Sequence, residues 1–294
     1  AGGAFTFLPT SFAGMPDGFV GSAIVSSDQP IKGIVNVTNQ PTTLPGGVVV
    51  GVTGGKAAGM YQGTAAPSTE LYFPIAKHNR YCATVWYYVQ NAGTASATAT
   101  AVFSMDDGGV YTFVTPSIGP GKMVYINPAM AGVPTTNTNR ANVGSLKVTS
   151  AQPLAGTAME QLTTETVATV VFAVRALPPA DLSTKAYAPV VKNDRYGRFT
   201  GIQVLNTTAA VITVNINYVG TASTCKDVST TDTITVQPGK STTMVSNQGN
   251  FPDNCTGTAT LTGTGNFVAI VNANTLAGDP LAGIAYFSLR SAAS

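Results

Sequence analysis

Apolar and polar residues alternate with a period of two along much of this chain. The stretches "TVWYYVQ" (84–90), "SATATAVFS" (96–104), "VITVNINYV" (211–219) and "DTITVQ" (232–237) each place every second side chain on one face, which predicts half-buried β-strands. Between such runs lie clusters that turn the chain: Asp106-Asp107-Gly108-Gly109, Gly119-Pro120-Gly121 and Gln237-Pro238-Gly239. Asp and Gly tolerate the backbone angles of tight turns, and Pro presets them. No segment carries a sustained 3.6-residue apolar period, so the expected class is all-β.

The strand pattern repeats. "YFPIAKHNRYCATVWYYVQNAGTASATATAVF" (72–103) aligns without gaps to "YAPVVKNDRYGRFTGIQVLNTTAAVITVNINY" (187–218). "GPGKMVYINPAMAGVP" (119–134) aligns to "QPGKSTTMVSNQGNFP" (237–252), and "VGSLKVTSAQPLAG" (143–156) to "TGTATLTGTGNFVAI" (256–270). The offset of roughly 115 residues suits an immunoglobulin-like β-sandwich rather than a solenoid unit. Near the start, "GGAFTFLPTSFAGMP" (2–16) matches 121–134, and "GSAIVSSDQPIKG" (21–33) matches 144–156. The expected organisation is therefore the second half of a repeat (1–62), then full repeats over 63–177 and 178–294. "GTAAPST" (63–69) and "PPADLSTKA" (178–186) read as links.

A half repeat leaves an open strand edge and an uncovered apolar face. Phe5, Phe7, Phe19, Val20, Ile24 and Ile34 are its candidate assembly residues. Three arrangements would cover them: strands of a neighbouring copy, a self-contained small fold using "GGVVVGVTGG" (46–55), or further chain beyond residue 1. The first is the favoured expectation. The chain opens on Ala rather than Met, as expected of a processed chain or a cut segment.

Composition sharpens this. Hydrophobic residues make up 44% of the 294, but charged residues only 10%, against roughly 25% in an average soluble domain. Thr, Ser, Asn and Gln supply the polarity. The net charge of +2 comes without a basic run, so no nucleic-acid partner is expected. No apolar stretch approaches the roughly 20 residues of a membrane-spanning helix. Three cysteines occur, Cys82, Cys225 and Cys255, with no CxxC or Cys/His cluster, so no metal centre is expected. Cys225 and Cys255 fall in one repeat. A disulfide between them is preferred over two buried free thiols, and it implies an oxidising compartment. The state of Cys82 is left open.

Catalytic signals are sparse. His78 is the single histidine and sits in a polar loop. No G-x-S-x-G elbow occurs, and "GVTGGKA" (51–57) and "VQPGKST" (236–242) lack the spacing of phosphate loops. Asp106-Asp107 lacks the alternating ligands of a calcium loop. No cofactor is expected and the chain is not read as an enzyme. Asn36, Asn206 and Asn254 each begin an Asn-x-Thr sequon and are candidate glycosylation sites. Trp86 and Tyr88 share one strand face, with Tyr87 on the other. They are candidates for core packing, sugar stacking or a subunit contact.

The motifs Y-x-P-[IV]-x-K, "TGIQVLN" (200–206), V-x-PGK and "GFVGSAIVSSDQPIKGIVN" (18–36) together resemble tandem repeats of secreted, cell-surface proteins of bacteria such as the Chloroflexi. The resemblance implies immunoglobulin-type sandwiches and an extracellular or cell-surface location. The second repeat departs from it where "TVWYYVQ" replaces "TGIQVLN". The expected function is an extracellular structural subunit of a filament, sheath or lattice, with other copies of itself as partners. The alternative is an adhesin or polysaccharide-binding module.

Overall fold

The computed structural model describes residues 3–8, 12, 14–16, 19–38, 42–43, 49–50, 58–80, 83–135, 141–164, 167–275, 285–288 and 290–291. Their strands, in chain order, are β1 (Ile34–Thr38), β2 (Thr42–Thr43), β3 (Val49–Val50), β4 (Ala58–Gln62), β5 (Ser68–Lys77), β6 (Ala83–Asn91), β7 (Ala99–Met105), β8 (Val110–Val114), β9 (Met123–Ile126), β10 (Val143–Thr164), β11 (Val167–Arg175), β12 (Ser183–Asn193), β13 (Arg198–Asn206), β14 (Ile212–Gly220), β15 (Ser229–Val236), β16 (Ser241–Val245), β17 (Cys255–Thr275), β18 (Ala285–Ser288) and β19 (Arg290–Ser291). Among the described residues only short 3-10 turns are helical, so the chain is all-β.

Two long strands organise two curled antiparallel sheets. The first part of β10, from Val143 to Ser150, pairs with β5 on one side and β7 on the other. Its second part, from Leu154, pairs with β6 and then β11. β8 extends β7, and β9 extends β6. One strand thus serves both layers and the sheet closes over a core. β6 alternates strictly between buried and half-buried positions. Its buried Tyr87 meets Phe73 of β5 at 4.9 Å and Phe103 of β7 at 5.8 Å between ring centroids. The Tyr87 hydroxyl donates to the Ile75 carbonyl at 2.7 Å. Each such fully buried large side chain contributes on the order of 1.5–3 kcal/mol.

The second large sheet pairs in the same order. β17 joins β12 and β14 through its first part, and β13 and β18 through its second. β15 extends β14, β16 extends β13, and β19 lies along β12. A bulge sits at the same place in both sheets. Gly144 pairs with Ala76 and Leu146 with Phe73, leaving Ser145 between; Gly257 pairs with Val191 and Ala259 with Ala188, leaving Thr258 between.

The N-terminal segment, matched in sequence to β10, does not share its strand. Residues 19–33 form no strand, and regular pairing begins only at Ile34, where β1 meets β4. The physical reason lies in the matched stretch of β10. That stretch is a strand because β5 and β7 flank it, and among the described residues no strand pairs with 21–27. Of "GGVVVGVTGG", only Val49–Val50 is described as strand, paired with β2; most of the stretch lies outside the described residues.

Candidate functional site

Strand ends, turns and main-chain carbonyls make up the most organised polar arrangement. β6 ends at Asn91, fully enclosed. Its amide nitrogen donates to the carbonyls of Ala95 (2.8 Å) and Ile118 (2.7 Å), and its amide oxygen accepts from the Gly93 N–H (2.9 Å). Asn206, at the end of β13, does the same with Ala210 (2.7 Å), Val236 (2.9 Å) and the Thr208 N–H (2.8 Å). The backbone of each asparagine grips a Pro-Gly-Lys turn. Asn91 N–H donates to Lys122 and Gly121 N–H to Asn91; Asn206 N–H donates to Lys240 and Gly239 N–H to Asn206. Gly121 and Gly239 have φ of 71° and 67°, a region that a side chain disfavours, so Pro-Gly is the sequence solution for this turn.

Each held turn presents a glycine carbonyl outward, and each carbonyl is capped by a serine from upstream in the chain. Ser22 Oγ donates to the Gly121 carbonyl at 2.7 Å. Ser145 Oγ donates to the Gly239 carbonyl at 3.1 Å. Ser22 and Ser145 occupy the same place in the matched stretches "GSAIV" and "GSLKV". At the second of these joints Lys240 Nζ also donates to the Met105 carbonyl at 2.6 Å. Leu205, Val268 and Ile270 belong to one buried cluster with Tyr72 and Ile75 of the first sheet. The "VQPGKST" lysine is thus a main-chain clamp between the two sheets.

The sequence-level candidates disperse around this framework. Phe5, Phe7, Phe19, Val20, Ile24 and Ile34 are all exposed; Phe5 and Phe7 meet edge to face at 4.8 Å. Trp86 and Tyr88 are half-buried on the outer face of β6, with Tyr87 on the inner face. Trp86 leans on Tyr125 of β9 at 5.6 Å and 42°. Burial pushes the Tyr88 phenol above its ordinary value. Asn36 is exposed, and exposed Asn254 accepts from Arg195 Nη1 at 2.8 Å. Asn206 is buried, and both donors of its amide are given to carbonyls, so in the folded chain it holds a turn. The signal was present in the sequence, because Asn206 aligns with Asn91, which begins no sequon.

Cys225 and Cys255 form a disulfide with Cα atoms 5.7 Å apart, while Cys82 lies outside the described residues. His78 contacts the Val133 carbonyl through Nδ1, tying two loops. Asp107 accepts from the Gly109 N–H at 2.9 Å, forming a hairpin turn. Glu160, buried in β10, pairs with Lys77 at 2.9 Å. No group of three or more His, Cys, Asp or Glu side chains among the described residues is placed to hold a metal ion. Among the described residues no helix is long and apolar enough to cross a membrane.

No family model matches the chain, and no curated protein does. Solved structures give distant likenesses. A Thermotoga maritima protein, 1070, is similar over 37% of this chain and 94% of its own length, at 13% identity and a TM-score of 0.32. A calcium-binding mutant of Bacteroides uniformis beta-glucuronidase 2 is similar over 69% of this chain and 26% of its own, at 7% identity and a TM-score of 0.15. An anti-sigma factor domain-containing protein is similar over 77% of this chain and 98% of its own, at 8% identity and a TM-score of 0.13.

Proposed function

We propose that this chain is an extracellular structural subunit built from tandem immunoglobulin-like sandwich repeats. It assembles end to end into a filament, sheath or surface lattice, and the N-terminal half repeat is completed by another copy. The observation that carries this reading is the exposed N-terminal segment, with Phe5, Phe7, Phe19, Val20, Ile24 and Ile34 open to solvent on one polypeptide stretch. Apolar exposure on this scale favours association. The disulfide fits an oxidising, extracellular setting. The low charge supports a packed role over free diffusion.

Purified protein should form regular polymers visible by negative-stain electron microscopy and sedimenting at low speed. Deleting residues 1–40 should abolish them. Monomeric wild-type protein at all concentrations, or polymers unchanged by the deletion, would overturn the reading. A second reading, polysaccharide binding, draws on the half-buried Trp86 leaning on exposed Tyr125. It requires a monomer that binds glycans and loses them on Trp86→Ala.

A further inference from the structure

The joint between the two large sheets has an exposed counterpart on the second sheet. In the first sheet the joint surface is Tyr72, Pro74 and Ile75 of β5 beside the bulged Ser145. Tyr72 is 6% exposed and Ile75 1%, in one cluster with Leu205, Val268 and Ile270 of the second sheet. The second sheet presents the same positions: Tyr187, Pro189 and Val190 of β12 beside the bulged Thr258. Here Tyr187 is 44% exposed and Val190 53%, and Thr258 is exposed too. The carbonyl of Met105 that receives Lys240 corresponds to that of Gly220, because Met105 pairs with Gly144 as Gly220 pairs with Gly257.

The complementary surface lies at the other end. Ile270 of β17 pairs with Ser288 of β18, and Ile34 of β1 pairs with Gln62 of β4 at the matching position. Ile270 is 1% exposed, whereas Ile34 is 66% exposed, and Met60, two residues along β4, is 59% exposed. One end therefore carries an uncovered copy of the surface that Ile270 covers. The other carries an uncovered counterpart of Ile270.

The geometry points to a head-to-tail contact between copies. The face of β1 and β4 bearing Ile34 and Met60 in one copy docks on Tyr187, Pro189, Val190 and Thr258 of the next, reproducing the joint within the chain. Such a contact is heterologous: each copy uses one surface and offers the other, so it propagates. The inference rests on the assembly reading and names the surface that receives the N-terminal segment.

The test uses full-length protein carrying Val190→Asp or Ile34→Asp, with Val114→Asp, an exposed residue of β8, a strand that contributes to neither surface, as control. All three positions are exposed, and circular dichroism checks that each variant folds. Val190→Asp and Ile34→Asp should each raise the concentration needed for polymerisation by about tenfold or more, and Val114→Asp should leave it unchanged. An equimolar mixture of the first two should give dimers and stop there, because only one competent pair of surfaces exists between them. Wild-type polymers unaffected by Val190→Asp would overturn the inference while leaving the assembly reading intact. So would equal loss in Val114→Asp, or long polymers or no dimers in the mixture. A wild-type chain that never polymerises would overturn both.

Discussion

Removing the Cys225–Cys255 bridge should destabilise the second sheet by a calculable amount. The bridge closes a span of 30 residues, which in the chain-entropy description restricts the unfolded chain by about 3–4 kcal/mol at 25 °C. In the folded chain it ties the turn-rich stretch between β14 and β15 to the start of β17. Thr221 and Ala222 N–H already donate to the Thr256 carbonyl there, and Cys225 N–H to Ala222. These bonds survive reduction, so the native fold should persist and the loss should come through the unfolded state. For a chain of this size, 3–4 kcal/mol corresponds to roughly 6–16 °C in midpoint. The assay is thermal unfolding by circular dichroism with and without reductant, with thiol content verified by mass. Cys225→Ala/Cys255→Ala serves as a second route, and alanine avoids burying a hydroxyl at two enclosed positions. Hydrogen exchange should accelerate in β14, β15 and the first part of β17 and stay unchanged in β6 and β7. A fully reduced protein melting within a degree or two of the oxidised one would refute the reasoning, because it would mean that the loop is equally restricted without the bridge.

Two further outcomes follow from buried polar groups. Asn206→Ala would strand the Ala210 and Val236 carbonyls and the Thr208 N–H, costing about 2–4 kcal/mol in denaturant unfolding, and Asn91→Ala should cost a similar amount at the matched turn. Burial first, and the charge of Glu160 second, hold the Tyr87 phenol well above its ordinary value near 10; the unfolded chain therefore releases that proton first as pH rises, so stability is complete below pH 10 and is lost above it, a loss that Tyr87→Phe should diminish in alkaline denaturation.

The strand runs were readable because alternation encodes one-sided burial directly: β6 and β14 follow their sequence pattern residue by residue. The cysteine pair was readable from its position between matched stretches. The N-terminal strands were not, because strand formation there depends on neighbours. "GSAIVSSDQ" matches "GSLKVTSAQ" at five of nine positions, but among the described residues no β5-like or β7-like strand flanks it, and its main chain stays irregular. The turn-holding role of Asn206 was not legible locally, because it depends on Val236, thirty residues downstream. The serine caps on Gly121 and Gly239 were hidden for the same reason. Each bridges residues 99 or 94 apart in sequence, and only the repeat alignment brings Ser22 and Ser145 into register.

The chemistry of that joint explains how it recurs while side chains around it vary. Its polar acceptors are main-chain carbonyls, of Gly121, Gly239 and Met105, which every sequence provides. The donors are short or flexible: a serine hydroxyl, at a bulge in the case of Ser145, and a lysine at a turn. Fixing the turn requires Pro-Gly and a buried asparagine, and fixing the bulge requires a glycine before the serine. At Gly144 a Cβ would come within 2.2 Å of the Ser104 carbonyl oxygen, and at Gly257 equally close to that of Val219. The parts that shape the backbone recur, and the apolar patch between them recurs with them: Tyr72, Pro74 and Ile75 become Tyr187, Pro189 and Val190, with one conservative change. A contact specified by backbone shape and carbonyls needs few ion pairs, which accords with a chain in which only 10% of residues are charged.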